Sequence, residues 1–407
     1  MHLARPKLIF LAGLLGVHLV LAFVPEVMAK FGVGRYGPWF RDAYAMLAAS
    51  DSAQAGYDPF VENPYDLIGE RHIYSDWWFA LGKMGLDRSD HSYLGLTFLL
   101  AFWAAVTWVL PLATKRDAWL ALAVCGSPPF WLAANRGNPD LLMFALLTLA
   151  AGMVLRPGVW PGRLALVPLG LAVGLKYYPV LGAGLLLAWP TRPASERVWR
   201  IVVGGVGLAL VGWLLRDALA NYFSVGWLAR GQLTFGAAAL PMKAGLDGES
   251  CVRLGLVAGA GLALWAAWRT RDERVTVDPT DRTALLFLLG ATLLGGNFFL
   301  TVDFLYKGIF AVWLLPAFLI WAAGTGPLRG LARGWLALVI VILWFVPLVC
   351  LASPWWLEWL GAASEAPVRR SAAALVDALA WVVVVPVLWL AVPMLRALVR
   401  PVRKEAA

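Results

Sequence analysis

Residues 135–140 read Asn135-Arg136-Gly137-Asn138-Pro139-Asp140, six polar or turn-forming residues set between the apolar runs Ala118–Ala134 and Leu141–Val154. Crossing a bilayer takes roughly 20 apolar residues per helix, and nothing in that task calls for an arginine, an aspartate and two asparagines. Working outward, comparable runs are Leu8–Val24, Tyr93–Ala113, Leu164–Leu175, Pro179–Trp189, Ile201–Leu215, Cys251–Trp268, Thr283–Leu300, Phe304–Ala323, Trp335–Leu351 and Ala372–Leu395, which with the first two make twelve segments. The pattern predicts an all-α polytopic membrane protein of about 12 transmembrane helices (11 to 13), a single integral domain over residues 1–407.

Composition agrees. The 407 residues are 61% hydrophobic and 14% charged, where a soluble domain carries about a quarter charged residues. The net charge of +9 is a topology signal rather than a nucleic-acid footprint, because it lies in short loops. With the N-terminus cytoplasmic, the inner loops 1–7, 114–117, 155–163, 190–200, 269–282, 324–334 and 396–407 hold 19 of the 34 Lys and Arg in 68 residues. The equally long first outer loop, 25–92, holds six. That asymmetry predicts both termini cytoplasmic, the chain lying in the cytoplasmic (inner) membrane. Leu8–Val24 follows Arg5 and Lys7 but lacks a small-x-small cleavage site, so it reads as the first span. Cys125, Cys251 and Cys350 are far apart and have no zinc or disulfide spacing.

Outside the spans, the two sizeable elements are the outer loops 25–92 and 216–250. In the first, Pro38 begins a predicted amphipathic helix with Trp39, Phe40, Ala43, Met46 and Leu47 on one face, lying along the interface. Leu164–Leu175 and Pro179–Trp189 are each too short to span. They form either a shallow hairpin with Lys176 at its apex, the preferred reading, or one long interrupted helix.

With that topology Asp42, Arg136, Asn138, Asp140, Lys176, Asn297, Asp303 and Lys307 all fall on the outer side. Ionisable groups near hydrocarbon are costly, so they are paired or functional. Carboxylates and cations on one face suit transfer of a group off a lipid phosphate, the carboxylate taking a proton and the cations holding the phosphate. Asp42 is read as a general base, or as an exposed acid paired with Arg41 or Arg35. Asp76, among Tyr74-Ser75-Asp76-Trp77-Trp78-Phe79, is a second candidate base, or a solvated acid among anchoring aromatics. Asn138 and Asp140 also fit a helix cap. Lys176 beside Tyr177 and Tyr178 fits interfacial snorkelling as well as phosphate binding, and Asp303 with Lys307 fits an i, i+4 pair. No HExxH, GxxxxGK[ST] or GxSxG motif is present.

These residues carry a resemblance. Arg136-Gly137-Asn138-Pro139-Asp140-Leu141-Leu142, then Gly174-Leu175-Lys176-Tyr177-Tyr178-Pro179, then Asn297 with Tyr306-Lys307 ahead of Leu315-Pro316, resemble glycosyltransferase family 87 over roughly residues 38–320. These are multispanning enzymes of the C superfamily, typified by polyprenyl-phosphate-mannose-dependent mannosyltransferases. The resemblance implies an inverting transferase with its cavity at the outer face. Its donor is a polyprenyl-phosphate sugar, mannose or another hexose or pentose, and its acceptor a glycan or glycolipid of the cell envelope. No cofactor or metal is expected, and no nucleic-acid partner; membrane lipids surround the chain. Asp42 matches the family's base in the first outer loop, and Arg136, Asn138, Asp140, Lys176, Tyr177, Asn297, Asp303, Lys307 and Asp76 are the expected substrate-binding residues. The competing readings are a lipid or solute transporter or flippase, with polar groups at several depths, and a catalytically inactive scaffold of a glycan-assembly complex.

Overall fold

The computed structural model describes residues 5–24, 26–27, 38–190, 194–225, 234–272, 278, 280–351 and 365–399. They are helical almost throughout, with one short antiparallel pairing of β1 (Thr234–Phe235) and β2 (Asp303–Phe304). Arg35, most of Ser353–Ser371 and parts of both outer loops lie outside the described residues. The helices that build and brace the polar site are, in chain order, α1 (Arg5–Phe23), α2 (Arg41–Gln54), α3 (His91–Val109), α4 (Pro128–Arg136), α5 (Asp140–Val154), α6 (Leu166–Leu175), α7 (Val180–Ala188), α8 (Ala194–Leu214) and α9 (Arg282–Leu300).

Among the described residues six helices are long and apolar enough to cross a bilayer: Arg5–Phe23, Arg88–Val109, Ala194–Leu214, Gly248–Arg269, Arg282–Leu300 and Ala373–Leu398. Two bent pairs raise the number to eight if each counts as one span: α4 with α5, bent by 98°, and Leu305–Trp313 with Leu315–Ala323, bent by 60°. This is a polytopic all-α architecture consistent with a membrane protein; among the described residues six to eight candidate spans are found, and the expected twelve are not confirmed. Several of the apolar runs are broken. Ala118–Ala134, expected as one helix, divides into Lys115–Cys125 and α4, since Pro128 and Pro129 at the start of α4 supply no N–H to an unbroken ladder.

The short segments around Lys176 form a hairpin. A Cβ on Gly204 of α8 would overlap Leu187 at the end of α7 and lie 3.1 Å from Leu166 at the start of α6. The ends of both segments far from Lys176 therefore return to one level of α8. There Arg200 donates to the carbonyls of Leu186 and Trp189, at 3.2 and 2.6 Å, which the end of α7 leaves unpaired. Arg163 meets Glu196 through Nη2 at 3.1 Å beside them.

Basic residues tie one end of the bundle. Lys7 donates to the Thr107 carbonyl, Arg197 to Leu398, Arg333 to Ala322 and Arg396 to Ala267, and the Arg282 guanidinium lies 4.0 Å from the Trp108 ring centre. These are the loops the charge pattern assigns to a single side. The polar cluster gathers at the opposite ends of α3 and α9.

Candidate functional site

The run at residues 135–140 folds as two helix ends meeting at a right angle. Gly137 adopts the left-handed conformation at φ 57°. The amide of Asn138 donates to the Ala133 carbonyl and that of Gly137 to Ala134, closing α4 with the paired bonds of a Schellman motif. The Asn138 side-chain oxygen then accepts from the Asp140 amide at 2.9 Å, starting α5. Arg136 and Asp140 are thus the last and first residues of helices that diverge by 98°, and their side chains reach different partners.

Arg136 reaches Asp42. Its Nε lies 2.9 and 3.0 Å from the two carboxylate oxygens and its Nη2 lies 2.7 Å from Oδ1, while Asn138 Nδ2 donates to Oδ2 at 2.7 Å. Helix α2 holds Asp42 there through Phe40, which stands outside the helix. Expected to begin at Pro38, α2 begins at Arg41, because Phe40 is left-handed at φ 63° and its amide donates to the Asn135 carbonyl at 2.6 Å. Trp39 and Phe40 consequently do not belong to an interfacial helical face. The Phe40 ring wedges over Gly95 and Gly137, where any Cβ would crowd it. Asp42 is buried, and Arg41 pairs instead with Glu70 at 3.4 Å.

Asp140 collects the second cluster. It is fully enclosed and pairs with Lys176 and with Lys307, the latter at 2.9 Å, and it accepts from Tyr178 Oη at 2.9 Å. Lys307 arrives on a 3₁₀ run, Leu305–Trp313, in which residues three apart eclipse one another. Lys307, Phe310 and Trp313 therefore share a face. Trp313 stacks on Phe144 of α5 at 4.3 Å and 9°, and its indole nitrogen donates to Thr148 at 2.9 Å. That packing lines the 3₁₀ run up with α5 and delivers Lys307 to the Asp140 end. Lys307 also lies 3.8 Å from the Tyr178 ring centre and Lys176 lies 4.9 Å from that of Tyr74. The first outer loop pins the hairpin apex: Trp78 Nε1 donates to the Leu175 carbonyl at 3.0 Å and the Trp77 ring covers Gly174.

Both clusters border one cavity of about 710 Å³. Asp42, Arg136, Lys176, Tyr177, Asn297, Asp303 and Lys307 line it, under an apolar wall that includes Leu181, Leu208, Val211 and Leu215. Asn138 and Asp140 do not line it: Asn138 holds Asp42, and Asp140 sits behind the two ammoniums and presents them. Asp76 is not brought to the site. It is exposed at the start of a 3₁₀ turn capped by Ser75.

Sequence reasoning did not single out His72, which lines the same cavity from the first outer loop. Its Nε2 meets the Ser75 carbonyl at 3.1 Å and its ring packs against Phe60 and Phe79. Burial pushes the imidazole down to about 4, against the smaller upward effect of that hydrogen bond, so it is neutral at neutral pH. No motif or spacing in the sequence marks His72, and Phe79 read there as one of the anchoring aromatics. Among the described residues no three His, Cys, Asp or Glu side chains cluster as metal ligands; the cavity's carboxylates face cations and amides instead.

The model of glycosyltransferase family 87 matches residues 92–300, half of the chain. The match takes in Arg136, Asn138, Asp140, Lys176 and Asn297. No curated protein and no solved structure matches the chain.

Proposed function

The chain belongs to glycosyltransferase family 87, and from that premise we propose that it is an inverting transferase that takes a sugar from a polyprenyl-phosphate carrier at the outer face of the cytoplasmic membrane and passes it to a glycan or glycolipid hydroxyl. The observation that carries this reading is the pairing of Lys176 and Lys307 with a single buried carboxylate, Asp140. Both ammoniums border the cavity and can turn N–H donors to the oxygens of a phosphodiester monoanion; Lys176 meets Asp140, and Lys307 lies between Asp140 and, at 3.7 Å, Asp303. The apolar wall beside it suits a polyprenyl chain.

In the step we propose, an acceptor hydroxyl attacks the anomeric carbon from the face opposite the phosphate. The carbon–oxygen bond to phosphate breaks, the hydroxyl proton passes to Asp42, and the departing lipid phosphate carries the second negative charge. Lys176 and Lys307 stabilise that charge as it develops, which lowers the barrier without further chemistry. Arg136 has two anions to serve. Its contacts with Asp42 are the resting arrangement, and a phosphate drawing on the same guanidinium leaves Asp42 freer to accept a proton. A transporter would need polar groups at several depths; this cavity's polar groups gather at one end of the bundle.

The test is transfer of radiolabelled sugar from polyprenyl-phosphate donors in proteoliposomes by wild type and Asp42→Asn. Wild-type turnover with at least about a 10²-fold loss in the variant, at unchanged donor binding, is the expected result. Equal turnover in the two proteins would remove Asp42 from the mechanism, and absence of any polyprenyl-phosphate binding by wild type would sink the donor class.

A further inference from the structure

One strip of the cavity offers only hydrogen-bond acceptors. Asn297 is the last polar side chain of α9, 1% exposed, in a helix whose other buried positions are leucine, phenylalanine, alanine and glycine. Its Nδ2 donates to the Leu293 carbonyl one turn back at 2.8 Å. A carbonyl can only accept, so that bond fixes which end of the amide is nitrogen, and the side-chain oxygen is left buried with no partner among the described residues. A buried amide oxygen without a donor costs stability and is rare unless something else supplies the donor.

Asp303 continues the strip. The Thr301 hydroxyl lies 3.0 Å from the Asn297 carbonyl and 3.1 Å from Asp303 Oδ2, joining the two residues across the end of the helix. Lys307 also approaches Oδ2, at 3.7 Å. Asp303 Oδ1 has no hydrogen bond among the described residues, and both side chains line the cavity. β2 holds Asp303 in place through its pairing opposite Phe235.

An acceptor-only strip repels phosphate oxygens and takes hydroxyls. Lys307 stands at the boundary, 2.9 Å from Asp140 on one side and 3.7 Å from Asp303 on the other. A sugar phosphate with its phosphate on the lysines lays its ring toward the strip. We infer that Asn297 Oδ1 and the Asp303 carboxylate form the subsite that reads the hydroxyls of the transferred sugar, so that the donor is a hexosyl or pentosyl ester with free hydroxyls facing α9 and not a deoxy or O-methylated one. This rests on the polyprenyl-phosphate donor proposed above.

Binding without an acceptor present separates the two ideas. The probes are bare polyprenyl phosphate and a panel of its hexosyl and pentosyl esters, with wild type, Asn297→Leu and Asp303→Asn. Leucine matches asparagine in shape and suits an apolar helix, and bare polyprenyl phosphate reports on the fold of every variant. The expected result is unchanged affinity of Asn297→Leu for the bare lipid, equal or higher affinity of Asp303→Asn for it because a carboxylate beside Lys307 is gone, and in both variants a loss of about 10- to 100-fold, relative to the bare lipid, for the sugar-bearing lipid that wild type prefers. Equal losses for both lipids would make the residues structural and overturn the inference. Unchanged donor affinity, with a raised KM for acceptor alone, would place the acceptor on the strip and overturn it too. Wild type binding neither lipid would overturn the donor reading itself.

Discussion

Asp140→Asn is the sharpest probe of the site, because it removes one charge and almost no volume. A carboxylate and an ammonium 2.9 Å apart, as Asp140 and Lys307 are, attract by about 6 kcal/mol at an effective dielectric of about 20. Lys176 adds a second attraction to the same group. The Lys307 side chain is only 2% exposed, so water cannot replace the lost partner. Removing one member of a buried pair costs about 3–5 kcal/mol, and the variant is expected to lose that much in a reversible SDS-unfolding titration. Polyprenyl phosphate should then behave differently toward the two proteins. At 100 times its Kd a ligand stabilises the fold by about 2.7 kcal/mol. In Asp140→Asn its phosphate also restores the missing counter-charge, so the lipid-induced gain exceeds that of wild type. A residue that touched the donor directly would show the opposite, a smaller gain. A variant within about 1 kcal/mol of wild type, or one with an equal or smaller lipid-induced gain, would refute the placement of Asp140 behind the lysines.

Two further outcomes follow from the way α2 and the first outer loop are held. Gly137→Ala puts a Cβ into the left-handed region, at φ 57°, 3.0 Å from Phe40 Cβ; it should cost about 1–2 kcal/mol for the backbone alone. Because Phe40 sets α2, it should also lower transfer by more than about tenfold as Asp42 leaves Arg136; unchanged stability and turnover would argue against the Phe40 wedge. His72 titrates in the folded chain near 4, below its unfolded value of about 6.5. Its contribution to stability is therefore complete above about pH 6.5 and is lost as pH falls toward 4, by about 3 kcal/mol in all. Unfolding free energies of wild type and His72→Phe should diverge by that amount between pH 7 and 4, and parallel curves would count against the burial of the ring.

The membrane class, the one-sided gathering of basic loops and the residues worth testing were legible in the amino-acid sequence, because each depends on composition or on short-range spacing. Asn138-Pro139-Asp140 announces a helix start in any context, and a lysine, two tyrosines and a proline cannot continue an apolar helix. The number of full spans was not legible: hydropathy measures apolar length, and the prolines of α4, the Lys176 hairpin and the 3₁₀ run change how that length is used. Pairing was not legible either. Asp42 and Arg136 are 94 residues apart and Asp140 and Lys307 still further, and sequence spacing carries no information about which carboxylate meets which cation. Only the tertiary structure decided it, through a 98° bend that sends Arg136 and Asp140 to different partners, a phenylalanine seated on two glycines, and an eclipsed 3₁₀ face that carries one buried lysine to the end of α5.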